Sequence, residues 1–176
     1  MRTFRFVQGY IVGMAVFVVL IPIGIYFLST LEPFPFSATI LANDLIRWIL
    51  LVPLFIVGVF FSVWSNLDLM LKGEGGPTDF DVVVISPRTR KLVVDGPYRY
   101  TRNPMVFGVN AVYASLALFF NSWGALLAWL LFFAAIVRFF VSREEKRLLA
   151  DFGEEYEKYR ATTPKMVPFL KRSGSG

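Results

Sequence analysis

Residues 105–141 read MVFGVNAVYASLALFF-NS-WGALLAWLLFFAAIVRFFV, and their reading decides the fold. Arg138 is the one charged residue in the stretch. Each apolar run approaches the roughly 20 residues that cross a bilayer as a helix, with 105–120 on the short side. Asn121-Ser122 leaves room only for a tight hairpin, so the two helices are antiparallel neighbours. Gly108 and Ala111 on the first, with Gly124 and Ala128 on the second, permit close contact between them.

On the N-terminal side of this hairpin lies Leu92-Val-Val-Asp-Gly-Pro-Tyr-Arg-Tyr-Thr-Arg-Asn-Pro-Met105. Gly96-Pro97 and Asn103-Pro104 are turn signals, since proline pushes the preceding residue out of helix. Pro104 suits a first helical turn, where its missing N–H costs nothing. Arg99 and Arg102 place fixed cations at the membrane edge. On the C-terminal side stands Arg143-Glu-Glu145, at the end of the second run. Because the runs form a hairpin, Arg99 and Arg102 are expected to face Glu144 and Glu145. Two adjacent carboxylates at a helix C-terminus repel each other and oppose the helix dipole, so a nearby cation must compensate.

Further out, Phe6–Leu28 is a span kinked near Pro22 and Gly24. No small-residue cleavage site follows a short apolar core, so it reads as retained rather than as a signal peptide. Glu32-Pro-Phe-Pro-Phe36 is an interfacial aromatic loop. Asp44–Trp64 is another span, with Trp48 and Trp64 as interface anchors. Residues 65–104 form the one long polar loop. Lys72-Gly-Glu-Gly-Gly-Pro77 is flexible within it, and Asp79–Ile85 is a short extended piece. Beyond Ser142 the chain stays helical to about 162: Leu148, Phe152, Tyr156 and Tyr159 share a face, and Gly153 is a candidate break. This is an amphipathic helix on the membrane surface or beneath the bundle. Residues 171–176 read as a tail whose Ser-Gly-Ser-Gly ending has the character of an added linker.

The expected fold is therefore an all-α integral membrane protein in a single domain, residues 1–170. Four spans lie at about 6–28, 44–64, 105–120 and 123–141, followed by the C-terminal helix 142–162. The chain is 56% hydrophobic with a mean hydropathy of +0.58, too apolar for a soluble domain. Its net charge of +5 collects at segment ends, which points to anionic headgroups and topology rather than to nucleic acid. The N-terminus, the long loop and the C-terminus hold nearly all the Lys and Arg, so both termini are expected in the cytoplasm. The chain has no Cys and no His. Thiolate metal sites, Cys nucleophiles and imidazole bases are excluded. Any chemistry runs on carboxylates, Tyr, Arg, Lys, backbone groups or a cofactor. The loop cations, Glu144 and Glu145, and tyrosines 98, 100, 156 and 159 suit a ligand carrying a cation, a carboxylate and an aromatic base.

Leu92-Val-Val-Asp-Gly-Pro-Tyr98, Arg102-Asn-Pro-Met105, and Glu144-Glu145 followed by Phe152-Gly-Glu-Glu-Tyr-Glu-Lys-Tyr159 resemble the isoprenylcysteine carboxyl methyltransferase family. The similarity runs from about Gly73 to Pro168. The wider family includes phospholipid N-methyltransferases and many prokaryotic members. Two positions depart from its pattern: Asn103 stands where the family has His, and Val106 where a Tyr is usual.

The resemblance implies an S-adenosylmethionine-dependent methyltransferase of a prokaryotic inner membrane, releasing S-adenosylhomocysteine. The cofactor lies at the cytoplasmic end of the last two spans, and a lipophilic acceptor reaches it from among the membrane lipids. Val94, Gly96, Tyr98, Arg102, Asn103, Pro104, Met105, Glu144, Glu145 and Tyr156 are expected around the cofactor. Arg102 holds its carboxylate, and Glu144 and Glu145 its ammonium or ribose hydroxyls. Tyr159 and Arg138 are expected at the acceptor, unless Arg138 merely snorkels to the interface. Arg102, Glu144 and Arg138 are the catalytic candidates, with no metal. An ionised carboxylate accepting a methyl group needs no general base, so the missing His is tolerated. Three alternatives stay open: an amine N-methyltransferase acting on a phospholipid or small molecule, an NADPH-dependent sterol-type reductase, and a non-enzymatic accessory protein.

Overall fold

The computed structural model describes residues 11, 13, 15–30, 39–73, 79–80, 83–84 and 90–168. A π-helical turn, Ala15–Leu20, leads into α1 (Ile21–Thr30), and α2 spans Asp44–Lys72. A two-residue antiparallel ladder follows, β1 (Asp79–Phe80) with β2 (Val83–Val84). The 3-10 turn Gly96–Arg99 precedes α3 (Pro104–Phe120) and α4 (Trp123–Ala135). A second π segment, Ile136–Val141, joins α4 to α5 (Ser142–Thr162). The start of the first expected span, the Glu32–Phe36 loop, the glycine run after Gly73, Ser86-Pro87 and the tail lie outside the described residues.

Local chemistry sets these boundaries. The Asn43 side chain accepts from Ile46 N at 3.1 Å and caps α2, while Asp44 and Lys72 complement its dipole at either end. Pro104 opens α3. Asn121 takes the left-handed conformation (φ 52°) that ends α3, and Ser122 Oγ accepts from Ala125 N at 3.1 Å to start α4. The residue five on from Phe17, its partner in π geometry, is Pro22, which has no N–H. The Phe17 carbonyl instead accepts from the Tyr113 hydroxyl at 2.6 Å, tying the first helix to α3.

Two expected boundaries move. The second helix does not stop at Trp64 but continues two turns, to Lys72. Ser65 and Asp68 are polar yet buried, Asn66 Nδ2 donates to the Ser62 carbonyl, and Lys72 pairs with Asp68 at 2.8 Å. The segment reads as loop by polarity but has every helical interaction it needs. The last span likewise runs on into the C-terminal helix without a break at Ser142, from Trp123 as far as Gly153. Glu144 and Glu145 therefore sit inside a long helix rather than at a C-terminus, and the dipole argument against them does not apply. The expected break is present: Gly153 leaves helical geometry (φ 48°, ψ −122°).

The tightest packing is α2 against α3. A Cβ on Gly58 would fall 2.8 Å from the Gly108 carbonyl oxygen, and one on Gly108 2.5 Å from Ser62 Oγ. Gly108 thus serves the contact with α2, not the α3–α4 contact expected for it. The apolar core gathers Ile25, Tyr113, Ala117 and Ala125, flanked by Phe17, Leu116, Trp129 and Phe132. Between α3 and α4, Trp129 Nε1 donates to Asn110 Oδ1 at 3.1 Å, which satisfies a polar pair within apolar surroundings.

Two helices, Asp44–Lys72 and Trp123–Thr162, are long and apolar enough to cross a membrane, and Ala15–Thr30 and Pro104–Phe120 are shorter apolar helices. Only 11% and 17% of the most apolar windows of the two long helices are buried within the protein. Leu45, Ile49, Ile56 and Leu131 are all at least 60% exposed. A soluble core helix would bury that surface; these helices need an apolar solvent around them. The protein is accordingly an integral membrane protein with an all-helical body.

Candidate active site

The polar end of the bundle is built from the 3-10 turn upward. Gly96 has φ +59°, and a Cβ there would lie 1.9 Å from Asp68 Oδ2. Glycine is required twice, by the left-handed backbone and by the close approach of α2. The turn closes with Tyr98 N donating to the Asp95 carbonyl and Tyr100 N to the Pro97 carbonyl, both at 3.2 Å. Proline at position 104 then starts α3 and leaves Thr101 and Arg102 buried just before it.

Arg102 lies against α5. Its Nη1 is 2.6 Å from Glu145 Oε1, and the arginine side chain is only 5% exposed. The distance is that of an ion pair, but the N–H does not point along it. Arg102 Nε and Nη1, Glu145 Oε1 and the Tyr156 hydroxyl are all buried without an aligned hydrogen-bond partner. Glu145 Oε2 meets Lys165 Nζ at 2.9 Å. Glu144 turns instead to Arg147, one helical turn on. Arg99 is exposed, so the expected facing of Arg99 and Arg102 with Glu144 and Glu145 reduces to one cross-element pair, Arg102–Glu145.

The tyrosines brace this cluster. Tyr159 donates its hydroxyl to the Tyr98 carbonyl at 2.7 Å, and its ring packs edge-on to Tyr156 at 6.1 Å. Burial pushes the Tyr98 and Tyr159 hydroxyls well above their ordinary pKa and raises that of Tyr156 as well. At Tyr98 the nearby charges of Glu144 and then Asp68 add to the effect. At Tyr156 Glu145 adds to it, while the Arg102 guanidinium opposes it. All three are neutral phenols in the ordinary pH range.

Of the residues expected at the site, the structure brings Arg102, Glu145, Tyr156, Tyr159, Tyr98 and Glu144 to this end. Gly96 and Pro104 shape the backbone. Asn103 donates from Nδ2 to the Lys165 carbonyl at 2.9 Å. Val94 is exposed, and Met105 is half-buried on the first turn of α3. Arg138 is exposed on the π segment and forms no ion pair among the described residues, as suits a cation reaching for the interface.

Three residues escaped the sequence reading. Asp68 is buried beside Gly96, and its only signal was the i,i+4 spacing to Lys72. Thr101 donates to the Met166 and Lys165 carbonyls at 3.0 and 3.2 Å. Lys165 closes on Glu145 from a segment whose sequence shows only two flanking prolines.

The arrangement offers a buried guanidinium with unaligned donors, a carboxylate and a phenol. These groups suit the zwitterionic end of an amino acid, whose carboxylate and ammonium fill the two roles at once.

A family model described as phospholipid methyltransferase matches residues 46–155, from the first turn of α2 to one residue short of Tyr156. The chain is 30% identical over 135 residues to the Protein-S-isoprenylcysteine O-methyltransferase of Schizosaccharomyces pombe. That similarity covers 67% of this chain and 55% of the relative, so the chain spans about half the relative's length. No solved structure matches the chain.

Proposed function

This chain belongs to the phospholipid methyltransferase family, and we propose that it transfers the methyl group of S-adenosylmethionine to a lipophilic carboxylate at the cytoplasmic face of a membrane. The observation that carries the reading is the Arg102 fork. Its Nε and Nη1 are buried and unaligned beside Glu145 and Tyr156. Leaving buried donors unmade costs about 1–3 kcal/mol each, and more where a charge is involved. A carboxylate ligand relieves that cost. Arg102 would hold the cofactor's carboxylate and Glu145 its ammonium, and Tyr156 would donate into the same end. Glu144 and the backbone around Gly96 would hold the ribose and base. When bound, S-adenosylmethionine supplies a methyl carbon on a sulfonium leaving group. The chain's part is to align an acceptor with it and to keep water out. An ionised carboxylate brings its own electron pair, which fits a site without histidine.

The acceptor classes named by the relatives differ. The family description favours a phospholipid amine, and the S. pombe relative's name favours an isoprenylcysteine-type carboxylate. The carboxylate is preferred because a protonated amine must first lose a proton, and neither His nor Cys is present to take it. The reductase alternative does not suit membership of a methyltransferase family. The proposed topology is four spans, α1 to α4 with their π segments, and both termini in the cytoplasm; its support is the Lys/Arg asymmetry.

The test is methyl transfer from labelled S-adenosylmethionine by the protein in vesicles, against a panel of lipophilic acids, amines and thiols. The expected product is an alkali-labile methyl ester. Label in an alkali-stable amine moves the function to the phospholipid reading. No transfer to any acceptor overturns it.

A further inference from the structure

Beyond α5 the chain doubles back across the start of α3. Arg102 N donates to the Pro164 carbonyl at 2.9 Å. Thr101 Oγ1 reaches the Lys165 and Met166 carbonyls, and Asn103 Nδ2 the Lys165 carbonyl again. The backbone from Pro164 to Met166 is thus held by three consecutive residues of the loop that carries Arg102, two of them on the Lys165 carbonyl. Its side chain points back into the cluster, with Nζ 2.9 Å from Glu145 Oε2. Arg102 holds the other oxygen, Oε1. Both oxygens of Glu145 therefore already lie at ion-pair distance from cations of the protein itself, the one beside Lys165 without the misalignment seen at Arg102.

The two cations are not equally replaceable. The Arg102 side chain is 5% exposed and that of Lys165 is 35% exposed. A buried guanidinium has no other place to put its charge. A lysine ammonium on a flexible stem can swing into water and be rehydrated there. A ligand ammonium arriving at Glu145 displaces the group that leaves most easily.

We infer that Lys165 is an internal stand-in for the cofactor's ammonium: it occupies Glu145 in the empty protein and gives way when the amino-acid end of the cofactor binds. This rests on the reading of Glu145 as the ammonium-holding carboxylate. The exchange is of charge partners only, and no bond is made or broken. It keeps Glu145 neutralised between turnovers, and it subtracts the Lys165–Glu145 contact from the affinity for any ligand that brings an ammonium. A ligand without one leaves Lys165 in place.

The experiment is calorimetry on the full chain in detergent micelles, with S-adenosylhomocysteine and with methylthioadenosine, which lacks the amino-acid end. Lys165→Met is expected to bind S-adenosylhomocysteine roughly two- to fivefold more tightly than wild type, the size of a part-exposed ion pair. Methylthioadenosine affinity is expected to stay unchanged. Lys165→Gln repeats the measurement with a polar side chain, and Lys165→Arg, which keeps the cation, should remain near wild type. Unchanged affinity for S-adenosylhomocysteine in both neutral variants overturns the exchange. Weaker binding overturns it too, and makes Lys165 a partner of the ligand's carboxylate. If wild type binds neither ligand, the cofactor assignment itself fails, which is a separate result.

Discussion

The two ends of the α3–α4 hairpin are each tied to a distant part of the chain, and the ties differ in kind. At the apolar turn, Asn121 Oδ1 accepts from Leu41 N and its Nδ2 donates to the Leu41 carbonyl, both at 2.9 Å. Its own carbonyl accepts from Ile40 N, and Ser122 bridges Thr39. The knot is neutral and its bonds are made. At the other end Arg102 and Glu145 stand at ion-pair distance with three unaligned, buried polar atoms, and the Tyr156 hydroxyl adds a fourth. A structural clasp satisfies its own groups, since buried polar atoms are costly otherwise. A ligand site leaves them for the ligand. The contrast separates architecture from chemistry more sharply than the residue types do.

The largest effect that can break this comparison is at Arg102. Arg102→Met strands Glu145 with only the part-exposed Lys165. Breaking a buried pair costs about 3–5 kcal/mol, so the melting temperature in detergent is expected to fall clearly and cofactor binding to be lost. Binding that survives this change would mean the end is a clasp after all. Next in size is Glu145→Gln, expected to weaken S-adenosylmethionine by about 1.5–3 kcal/mol in calorimetry, the range for a hydrogen bond to a charged group. Glu144→Gln is expected to cost less, because Glu144 is more exposed and already paired with Arg147. Equal effects at both positions would erase the distinction drawn between them.

Asn121→Ala sharpens the comparison from the opposite end. It removes two side-chain hydrogen bonds and puts Ala at a left-handed position. A loss of roughly 1–3 kcal/mol in unfolding is expected, with cofactor affinity unchanged. A cofactor effect as large as its stability effect would mean that the two ends are coupled through the hairpin.

Much of this layout is legible in the residues. The apolar runs, the Asn121-Ser122 turn, Pro104 as a helix start and the Gly153 break carry strong local signals, and the family resemblance read from residues 92–159 is borne out. What stays hidden has physical causes. Arg99 and Arg102 look alike in sequence, but the 3-10 turn exposes one and buries the other. Ser65, Asn66 and Asp68 suggest a loop by polarity, because their partners are the helix itself and a glycine some thirty residues on. Lys165 is brought to Glu145 by bonds to the backbone carbonyls of its own segment, and carbonyl contacts leave no trace in side-chain identity.

The smallest expected effect is at Tyr156, and it asks whether an unmade bond belongs to the empty state or to the ligand. The hydroxyl is buried beside Arg102 and Glu145, close enough to the Arg102 guanidinium to feel its charge but without an aligned hydrogen bond. If it were part of a clasp, removing it would cost stability. Tyr156→Phe keeps the ring against Tyr159 and deletes only the unaligned hydroxyl, so the empty protein should be about as stable as wild type. Cofactor affinity should fall by about 0.5–1.5 kcal/mol, the worth of one ordinary hydrogen bond. The pH behaviour follows from the sign of the shift. Burial raises the folded-state pKa above the ordinary value of 10.0, so the neutral phenol is the form the fold favours. The stabilisation is complete below about pH 10 and is lost as pH rises through the folded value. The affinity difference should therefore be the same at pH 7 and pH 9. A Tyr156→Phe variant that melts earlier but binds S-adenosylmethionine as wild type does would return this end of the hairpin to architecture.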